Sequence, residues 1–146
     1  MLVSSYPLKL DDKNRFFLPP KFRAELADAL VIVHGFDHCL AVYPSEDFRT
    51  ALRAAQQNPY DIKNARGYLR MMTADAYETQ ADKQGRVSLP ASLRAYAGLD
   101  KDIVVTGVGD HAEIWDQQAW IAYRDSEEES FANIDGLILE ARTDSA

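Results

Sequence analysis

The chain has 146 residues, of which 47% are hydrophobic and 27% charged, and a formal net charge of −7. This length fits one compact domain or two very small ones, which excludes a large multidomain enzyme. The excess of acid disfavours a nucleic-acid partner at first sight, because phosphate binding depends on local cations. No apolar run is long enough to span a membrane, the N-terminus lacks the pattern of a signal peptide, and the single Cys39 forms no disulfide within the chain, so we expect a cytoplasmic protein.

The charge is unevenly distributed along the chain. Residues 125–146 sum to −6, which leaves −1 for residues 1–124, whereas residues 1–23 sum to +3. The acids of the tail are Asp125, Glu127, Glu128, Glu129, Asp135, Glu140 and Asp144, against one Arg142. The bases of the front are Lys9, Lys13, Arg15, Lys21 and Arg23, against Asp11 and Asp12. The basic front therefore weakens the objection to a nucleic-acid partner.

The chain contains an internal repeat. Residues 6–26 align with residues 77–97 at an offset of 71, with 7 identities in 21 positions, where average usage gives roughly one or two by chance. After a one-residue insertion the match resumes at an offset of 72. The identical pairs are Tyr6/Tyr77, Asp11/Asp82, Arg15/Arg86, Leu18/Leu89, Pro19/Pro90, Arg23/Arg94 and Ala24/Ala95. Each half is therefore one copy of the same small unit.

Each copy begins with two predicted strands around a turn. Tyr6, Leu8 and Leu10 alternate with other residues, which is typical of a half-buried strand. Turn formers follow, and Asn14 and Gly85 occupy the same place because both tolerate a positive φ. The predicted turns and second strands are 11–14 with 15–18, and 82–85 with 86–89.

A proline then opens a short helix in each copy, because its fixed φ suits the first helical turn. Phe22 and Leu26 lie on one face of the first helix, and Leu93 and Ala97 on one face of the second, which we expect Gly98 to end. Two further strands complete each unit. Their predicted ranges are 30–34 and 40–43 in the first copy, and 103–107 and 112–115 in the second.

Helices are predicted to follow both copies. We expect Ser45 to cap a helix bearing Phe48, Asp61 to cap a second one, and Asp116 to cap a third one carrying Trp120. The sequence Gln-Gln-Asn-Pro at 56–59 separates the first two helices. The predicted organisation is a first repeat at 1–55, a connecting helical segment at 56–75, a second repeat at 76–125 and an acidic tail at 126–146.

One copy buries too little surface to fold alone, so we expect the two copies to pack into one pseudo-symmetric, intertwined body. The predicted fold class is α+β and rich in β-strands. Tyr43, Phe48, Trp115 and Trp120 are interpreted as core residues of this body rather than as platforms for stacking bases.

The doubled motif Asp-x-x-x-Arg, followed in both copies by x-x-Leu-Pro-x-x-[Phe/Leu]-Arg, resembles the MraZ family over roughly residues 1–125. The resemblance implies tandem swapped-hairpin units like those of AbrB-type regulators, which form one intertwined β-barrel with short flanking helices. It also implies a ring-shaped homo-oligomer at the bacterial nucleoid. Members of the family regulate transcription and bind short G-rich direct repeats in double-stranded DNA ahead of the operon for cell division and cell-wall synthesis.

The motif falls on residues 11–15 and 82–86. Arg15 and Arg86 follow the turns, where a strand pair can present a rigid guanidinium to guanine in the major groove. The alternative is an ion pair with Asp11 or Asp82 that only pins the turn, and the two interpretations are compatible if the aspartate aims the arginine. The first copy has Asn14 where glycine is common in the family, which leaves open whether both copies bind DNA equally.

Four further cations complete the candidate DNA-binding set. Lys13 and Lys83 either contact phosphates or are solvated turn charges. Arg23 and Arg94, on the helix after the proline, either reach the DNA backbone or form a salt bridge inside the unit, and the structural interpretation is favoured.

No metal, cofactor or small-molecule substrate is expected. His34, His38 and Cys39 invite a metal interpretation, but Gly35 interrupts the helix that their spacing needs, and Cys39 reads as a small core residue. The chain carries no phosphate-binding loop and no nucleophile motif, so we expect no enzyme. The alternative function is a protein-binding, antitoxin-like module of the same fold, whose acidic tail masks a basic partner.

Overall fold

The computed structural model describes residues 1–57 and 62–134. Its strands are Ser5–Lys9 (β1), Arg15–Phe17 (β2), Leu30–His34 (β3), Leu40–Pro44 (β4), Tyr77–Thr79 (β5), Arg86–Ser88 (β6), Asp102–Gly107 (β7) and Ala112–Asp116 (β8). Its α-helices are Arg23–Leu26 (α1), Ser45–Gln56 (α2), Ile62–Ala74 (α3), Ala91–Tyr96 (α4) and Gln117–Ala132 (α5), and short 3-10 turns cover Pro20–Phe22 and Phe36–His38. None of the helices in these two ranges has both the length and the apolar character that a membrane crossing requires.

The two halves exchange strands in a six-stranded antiparallel sheet. β1 of the first half pairs with β7 of the second, and β5 of the second half pairs with β3 of the first. The strand order is β1-β7-β8-β4-β3-β5, and interchanging the halves reverses this order onto itself. The pseudo-twofold axis passes between β4 and β8, where Ala41 lies opposite Glu113. The α+β class predicted from the sequence is confirmed, and each half supplies an edge strand to the other.

The remaining two strands form a separate antiparallel ribbon, β2 with β6, which we call the ribbon. Its central pair is Phe16 opposite Val87, two residues that the internal repeat makes equivalent. Both side chains are 1% exposed, so they point into the core. Because side chains alternate along a strand, the residues on either side of this pair face outwards.

One core joins the sheet, the ribbon and the short helices. The predicted helix faces are confirmed, because Phe22, Leu26, Leu93 and Ala97 are buried. These side chains lie in the same cluster as the inward residues of the ribbon and sheet. The sheet contributes Leu30, Ile32, Leu40, Val42, Ile103, Val105, Ala112 and Ile114. Both halves therefore depend on one shared apolar interior.

Helices cover the other face of the sheet. Val31, Val33 and Ala41 form a second cluster, against which Tyr43 and Phe48 of the β4–α2 region pack. Over the second half, the buried Trp115 of β8 contacts rings of α5. Every residue of α5 from 121 to 132 is exposed, and the aromatic contacts of the helix with Trp115 come from Trp120 and Tyr123 in its first two turns. The helix also runs through residue 126, where the sequence placed the start of the tail, and residues 135–146 lie outside the described part.

Two helix ends confirm their predicted signals. Gly98 has a φ of +59°, and its N–H donates to the Ala95 carbonyl at 3.2 Å. The Leu99 N–H donates to the Arg94 carbonyl at 2.9 Å, which completes a Schellman end on α4. Asp116 caps α5, because its carboxylate accepts the Ala119 N–H at 3.1 Å.

The predicted cap at Ser45 is wrong. Pro44 occupies the N-cap position of α2 and no side chain caps the helix. The reason is that β4 continues to Pro44, which pairs with Leu30, so Ser45 already stands in the first helical position. The predicted cap Asp61 lies outside the described residues.

Candidate nucleic-acid interface

Asp11 organises the turn between β1 and β2. Its Oδ1 accepts the backbone N–H of Lys13 at 2.9 Å and that of Arg15 at 3.0 Å. Its Oδ2 accepts Nε of Arg15 at 2.8 Å. One carboxylate therefore fixes both the backbone of the turn and the direction of the arginine that follows it.

The second copy repeats this geometry. Oδ1 of Asp82 accepts the N–H of Gln84 at 2.9 Å and that of Arg86 at 2.8 Å, and Oδ2 accepts Nε of Arg86 at 2.8 Å. The aspartate–arginine ion pair offered by the sequence is thus present in both copies. It uses only the Nε edge of each guanidinium.

These hydrogen bonds lower the pKa of both carboxyl groups. For Asp82 the largest cause is the hydrogen bond from the Arg86 amide, which brings its pKa below the ordinary value. For Asp11 partial desolvation raises the pKa, but the hydrogen bonds from Arg15 and Lys13 together outweigh it, so the net shift is also downwards. Both carboxylates are therefore charged at neutral pH, when they hold the arginines.

The two turns are locked to each other across the halves. Asn14 and Gly85, which end the turns, have φ values of 58° and 85°. The Leu18 N–H donates to the Gly85 carbonyl at 2.9 Å, and the Leu89 N–H donates to the Asn14 carbonyl at 3.0 Å. Each turn is therefore positioned by the strand of the other copy, which keeps the two arginines in a fixed relation.

The outer face of the ribbon carries both arginines. In the register, Arg15 lies opposite Ser88 and Phe17 lies opposite Arg86, and all four positions share the face away from the core. The Arg15 and Arg86 side chains are 25% and 24% exposed. Among the described residues, the hydrogen bonds of these guanidinium groups to side chains run through Nε, so the terminal Nη1 and Nη2 atoms are left for an external acceptor.

Lys13 and Lys83 lie in the turns, exposed to solvent. The two turns precede the antiparallel strands β2 and β6, so the two lysines lie at opposite ends of the ribbon. Arg23 and Arg94 form hydrogen bonds within the chain. Their Nε atoms donate to the carbonyls of Leu18 and Leu89 at 3.2 and 3.0 Å. These bonds support the structural interpretation, but the acceptor is a backbone carbonyl and not the carboxylate of a salt bridge.

Arg23 also packs over the second turn, whose glycine is favoured by its positive φ. A Cβ at Gly85 would lie 2.9 Å from Cζ of Arg23, so the guanidinium of the first half closes over the turn of the second. On the opposite side, Arg94 lines a polar cavity of about 280 Å³ together with Asp11, Asn14 and Lys101. All eight candidate residues therefore lie around the ribbon and its two turns.

Phe17 is a residue that the sequence reasoning did not single out. It stands on the same face as the arginines and is 52% exposed. The signal was present, since a strand that buries Phe16 and exposes Arg15 must also expose the residue two positions after Arg15.

The histidine and cysteine candidates lie elsewhere. His34 donates from Nδ1 to the Met71 carbonyl at 2.8 Å, and its Nε2 lies 3.1 Å from the Asp75 carboxylate, which ties β3 to the end of α3. His38 contacts the Tyr96 carbonyl at 3.2 Å. Burial and the nearby Glu113 carboxylate raise the pKa of the Cys39 thiol, so it is a protonated core residue at neutral pH. Within the described ranges, no three such side chains are grouped as metal ligands.

The fold and the site together define a tandem-repeat α+β protein that displays two carboxylate-held arginines on a strand-exchanged ribbon. A family model described as "MraZ protein, putative antitoxin-like" matches the chain twice, at residues 1–71 and 72–139. The chain belongs to the MraZ family.

Relatives match nearly the whole length. Proteins named transcriptional regulator MraZ from Cutibacterium acnes, Leifsonia xyli subsp. xyli and Corynebacterium diphtheriae are 47%, 45% and 45% identical to this chain over 139 residues. These alignments cover 95% of this chain and 98%, 97% and 97% of the relatives. The family predicted from the doubled motif is confirmed.

Proposed function

We propose that this chain is a sequence-specific DNA-binding transcriptional regulator that reads short G-rich direct repeats through the outer face of the ribbon. The names of its relatives support the regulatory part. The observation that carries the DNA part is the pair of carboxylate-held arginines, Arg15 and Arg86, on an exposed antiparallel ribbon. The major groove admits a two-stranded ribbon, and arginine bonds bidentately to O6 and N7 of guanine.

The register of the ribbon suits two neighbouring bases. Arg15 and Arg86 occupy diagonal positions, because Arg15 faces Ser88 and Arg86 lies two residues before it. Diagonal neighbours on one face of an antiparallel pair are about 7–8 Å apart. Base pairs rise about 3.4 Å along the helix axis, so two arginines at this spacing fit guanines about two steps apart.

The aspartates act as positioning residues in this proposal. An arginine carries roughly 2 kcal/mol of rotamer entropy, part of which is lost when it binds a base. Because Asp11 and Asp82 already hold Nε of each arginine, much of that ordering is present before DNA arrives. Lys13 and Lys83 add sequence-independent contacts to phosphate. Residues 82–94 sum to +2 from Lys83, Arg86 and Arg94 against Asp82, which adds to the +3 of residues 1–23.

The same proposal includes the finer features that the resemblance implies. These are AbrB-like swapped-hairpin units that close into a barrel, binding ahead of the operon for division and cell-wall synthesis, a place in the cytoplasm at the nucleoid, and no catalytic activity, metal or cofactor. The exchange of β1 and β5 between the halves supports the swapped-hairpin description.

The proposal also includes a ring-shaped homo-oligomer, supported by the surface of α5. Its last 12 residues, 121–132, are all exposed, and Ile121 and Phe131 are among the exposed large apolar side chains. Helices of this length are marginal in water without a packing partner. We therefore infer that a second copy covers α5.

The distribution of charge indicates which surface of the second copy covers α5. α5 sums to −3, from one Arg124 against Asp125, Glu127, Glu128 and Glu129, whereas residues 65–74 of α3 sum to +2 from Arg66 and Arg70. Tyr68 and Met71 expose apolar surface on α3. Contact between α5 of one copy and α3 of the next joins two different surfaces, and such a head-to-tail contact closes into a ring when the rotation allows.

Light scattering tests this interface. Replacing Arg66 and Arg70 by Glu should shrink the oligomer, and also replacing Glu127 and Glu128 by Arg should restore its mass. Replacing the exposed Arg49 and Arg53 by Glu on the neighbouring helix α2 makes the same charge change and should leave the mass unchanged. Unchanged mass in the α3 variant would reject this contact.

DNA binding is tested in two stages. Selection from a random DNA pool should first enrich a G-rich repeat for the wild-type protein. Gel shifts on that DNA should then show that Arg15→Ala or Arg86→Ala weakens specific binding by roughly 1–3 kcal/mol per contacted site and relaxes the guanine preference. Arg49→Ala removes one exposed cation outside the ribbon and should keep the preference. Equal affinity of wild type and the double variant for repeat and scrambled DNA would reject the assignment.

The protein-binding alternative predicts a different result in the first stage. An antitoxin-like module would enrich no sequence from the pool at any salt concentration. Its binding to a basic protein would depend on the acidic C-terminal region instead of the ribbon arginines.

A further inference from the structure

Phe17 is an exposed aromatic side chain on the proposed reading face, at the end of the ribbon that carries Arg86. It is 52% exposed, while its neighbour Phe16 is 1% exposed. It is a large apolar side chain on the outer face of the ribbon, outside the core cluster, whose side of this strand is filled by Phe16. More than half of the ring therefore lies on the surface, where an external group can contact it.

The register places Phe17 beside one arginine only. Phe17 lies directly opposite Arg86, and the equivalent residue of the second copy, Ser88, lies directly opposite Arg15. Residues that face each other in an antiparallel pair have their Cβ atoms about 4.5–5.5 Å apart. Each end of the ribbon therefore carries one arginine that is held by an aspartate, and the two ends differ in the side chain that faces this arginine.

We propose that Phe17 determines specificity by contacting the 5-methyl group of a thymine that neighbours the guanine contacted by Arg86; this rests on the proposed function. In the major groove the thymine methyl is the apolar mark that separates thymine from cytosine, and apolar side chains, phenylalanine among them, recognise it by contact. The Cβ atoms of Phe17 and Arg86 are about 4.5–5.5 Å apart, and adjacent base pairs are separated by about 3.4 Å. The two side chains can therefore reach two neighbouring base pairs.

Ser88 cannot make the same discrimination beside Arg15. A serine hydroxyl both donates and accepts, so it can bond to more than one base edge and offers no apolar surface to a methyl group. A single protomer therefore requires a thymine methyl next to one of its two guanines and not next to the other. The DNA element that one ribbon reads is asymmetric.

Deoxyuridine provides the direct test, because it differs from thymidine only by the missing methyl. Each thymine of the selected repeat is replaced in turn, and affinity is measured by fluorescence anisotropy with wild type, Phe17→Ser and Phe17→Leu. Wild type should lose about fourfold in affinity at one thymine next to guanine, the loss that one methyl group gives. Phe17→Leu should keep this loss, and Phe17→Ser should bind both DNAs equally while keeping its guanine requirement.

Each result separates the two levels of the proposal. If the wild-type protein enriches no DNA sequence, the proposed function itself fails. If it binds a G-rich repeat but deoxyuridine has the same effect, or none, in wild type and Phe17→Ser, the role of Phe17 is overturned. It is also overturned if Phe17→Ser reduces the mass of the oligomer without changing the ratio of affinities for the two DNAs, because Phe17 then contacts another protein copy.

Discussion

The paired replacements Phe16→Ala and Phe17→Ala test the ribbon on which the candidate site depends. The two side chains are consecutive and chemically identical, but they are 1% and 52% exposed. Truncating a fully buried phenylalanine costs roughly 3–5 kcal/mol through lost transfer energy and the cavity left behind. Full burial of such a side chain is worth about 1.5–3 kcal/mol, so the half-buried Phe17 contributes about 1 kcal/mol.

Thermal unfolding followed by circular dichroism should resolve this difference. For a chain of this size, 1 kcal/mol shifts Tm by about 2–4 °C. We expect a loss of about 6–20 °C for Phe16→Ala and of about 2–4 °C for Phe17→Ala. Both must be measured at the same protein concentration, because association adds to the apparent stability of an oligomer.

The opposite ranking would refute the register. A slip of one residue would turn Phe17 inwards and Phe16 outwards, and it would move Arg15 from the outer face to the core. The proposed reading face would then not exist. Phe17→Ala therefore serves as the matched control for Phe16→Ala and as a check that variants of Phe17 remain folded.

Two further predictions concern single hydrogen-bonding carboxylates. The hydrogen bond from the Arg86 amide lowers the pKa of Asp82 below that of an ordinary aspartate, so its stabilising effect is present at neutral pH and is lost as the pH falls through the lower, folded-state pKa. The stability gap between wild type and Asp82→Asn in urea titrations should therefore be present at pH 7 and narrow as the pH falls below about 4. A gap that does not narrow as the pH falls below about 4 would contradict the assigned role. Asp116→Ala should cost about 1 kcal/mol by removing the cap of α5, whereas Ser45→Ala should leave stability nearly unchanged because Ser45 caps nothing; equal losses in denaturant would contradict the corrected start of α2.

Local features of the site could be read from the sequence because they depend on neighbouring residues. The spacing from Asp11 to Arg15 puts the carboxylate within reach of both the turn amides and the guanidinium, and Gly85 marks the positive φ. Alternation then separates the inward Phe16 from the outward arginine. The same rule also applied to Phe17, but an exposed aromatic residue is easily taken for core when only composition is considered.

Partner choice between strands could not be read from the sequence. Nothing in residues 5–9 specifies that β1 pairs with β7 of the other half, about a hundred positions away, instead of with a strand of its own copy. Any strand of this apolar pattern fits several neighbours, and the shared core decides among them. The error at Ser45 has the same origin, because the pairing of Pro44 with Leu30 extends the strand by one residue and displaces the cap.

The covalent fusion of the two exchanged copies has a consequence for the kind of DNA that such a ribbon can address. Two identical chains that exchanged strands in this way would be related by true twofold symmetry, and a twofold-symmetric reader matches palindromic half-sites. Here the symmetry is only approximate, because one chain encodes both strands of the ribbon and each can change independently. Phe17 and Ser88 already differ at equivalent positions. Under the proposed function, duplication within one chain frees the ribbon from palindromes and suits it to elements that all point the same way.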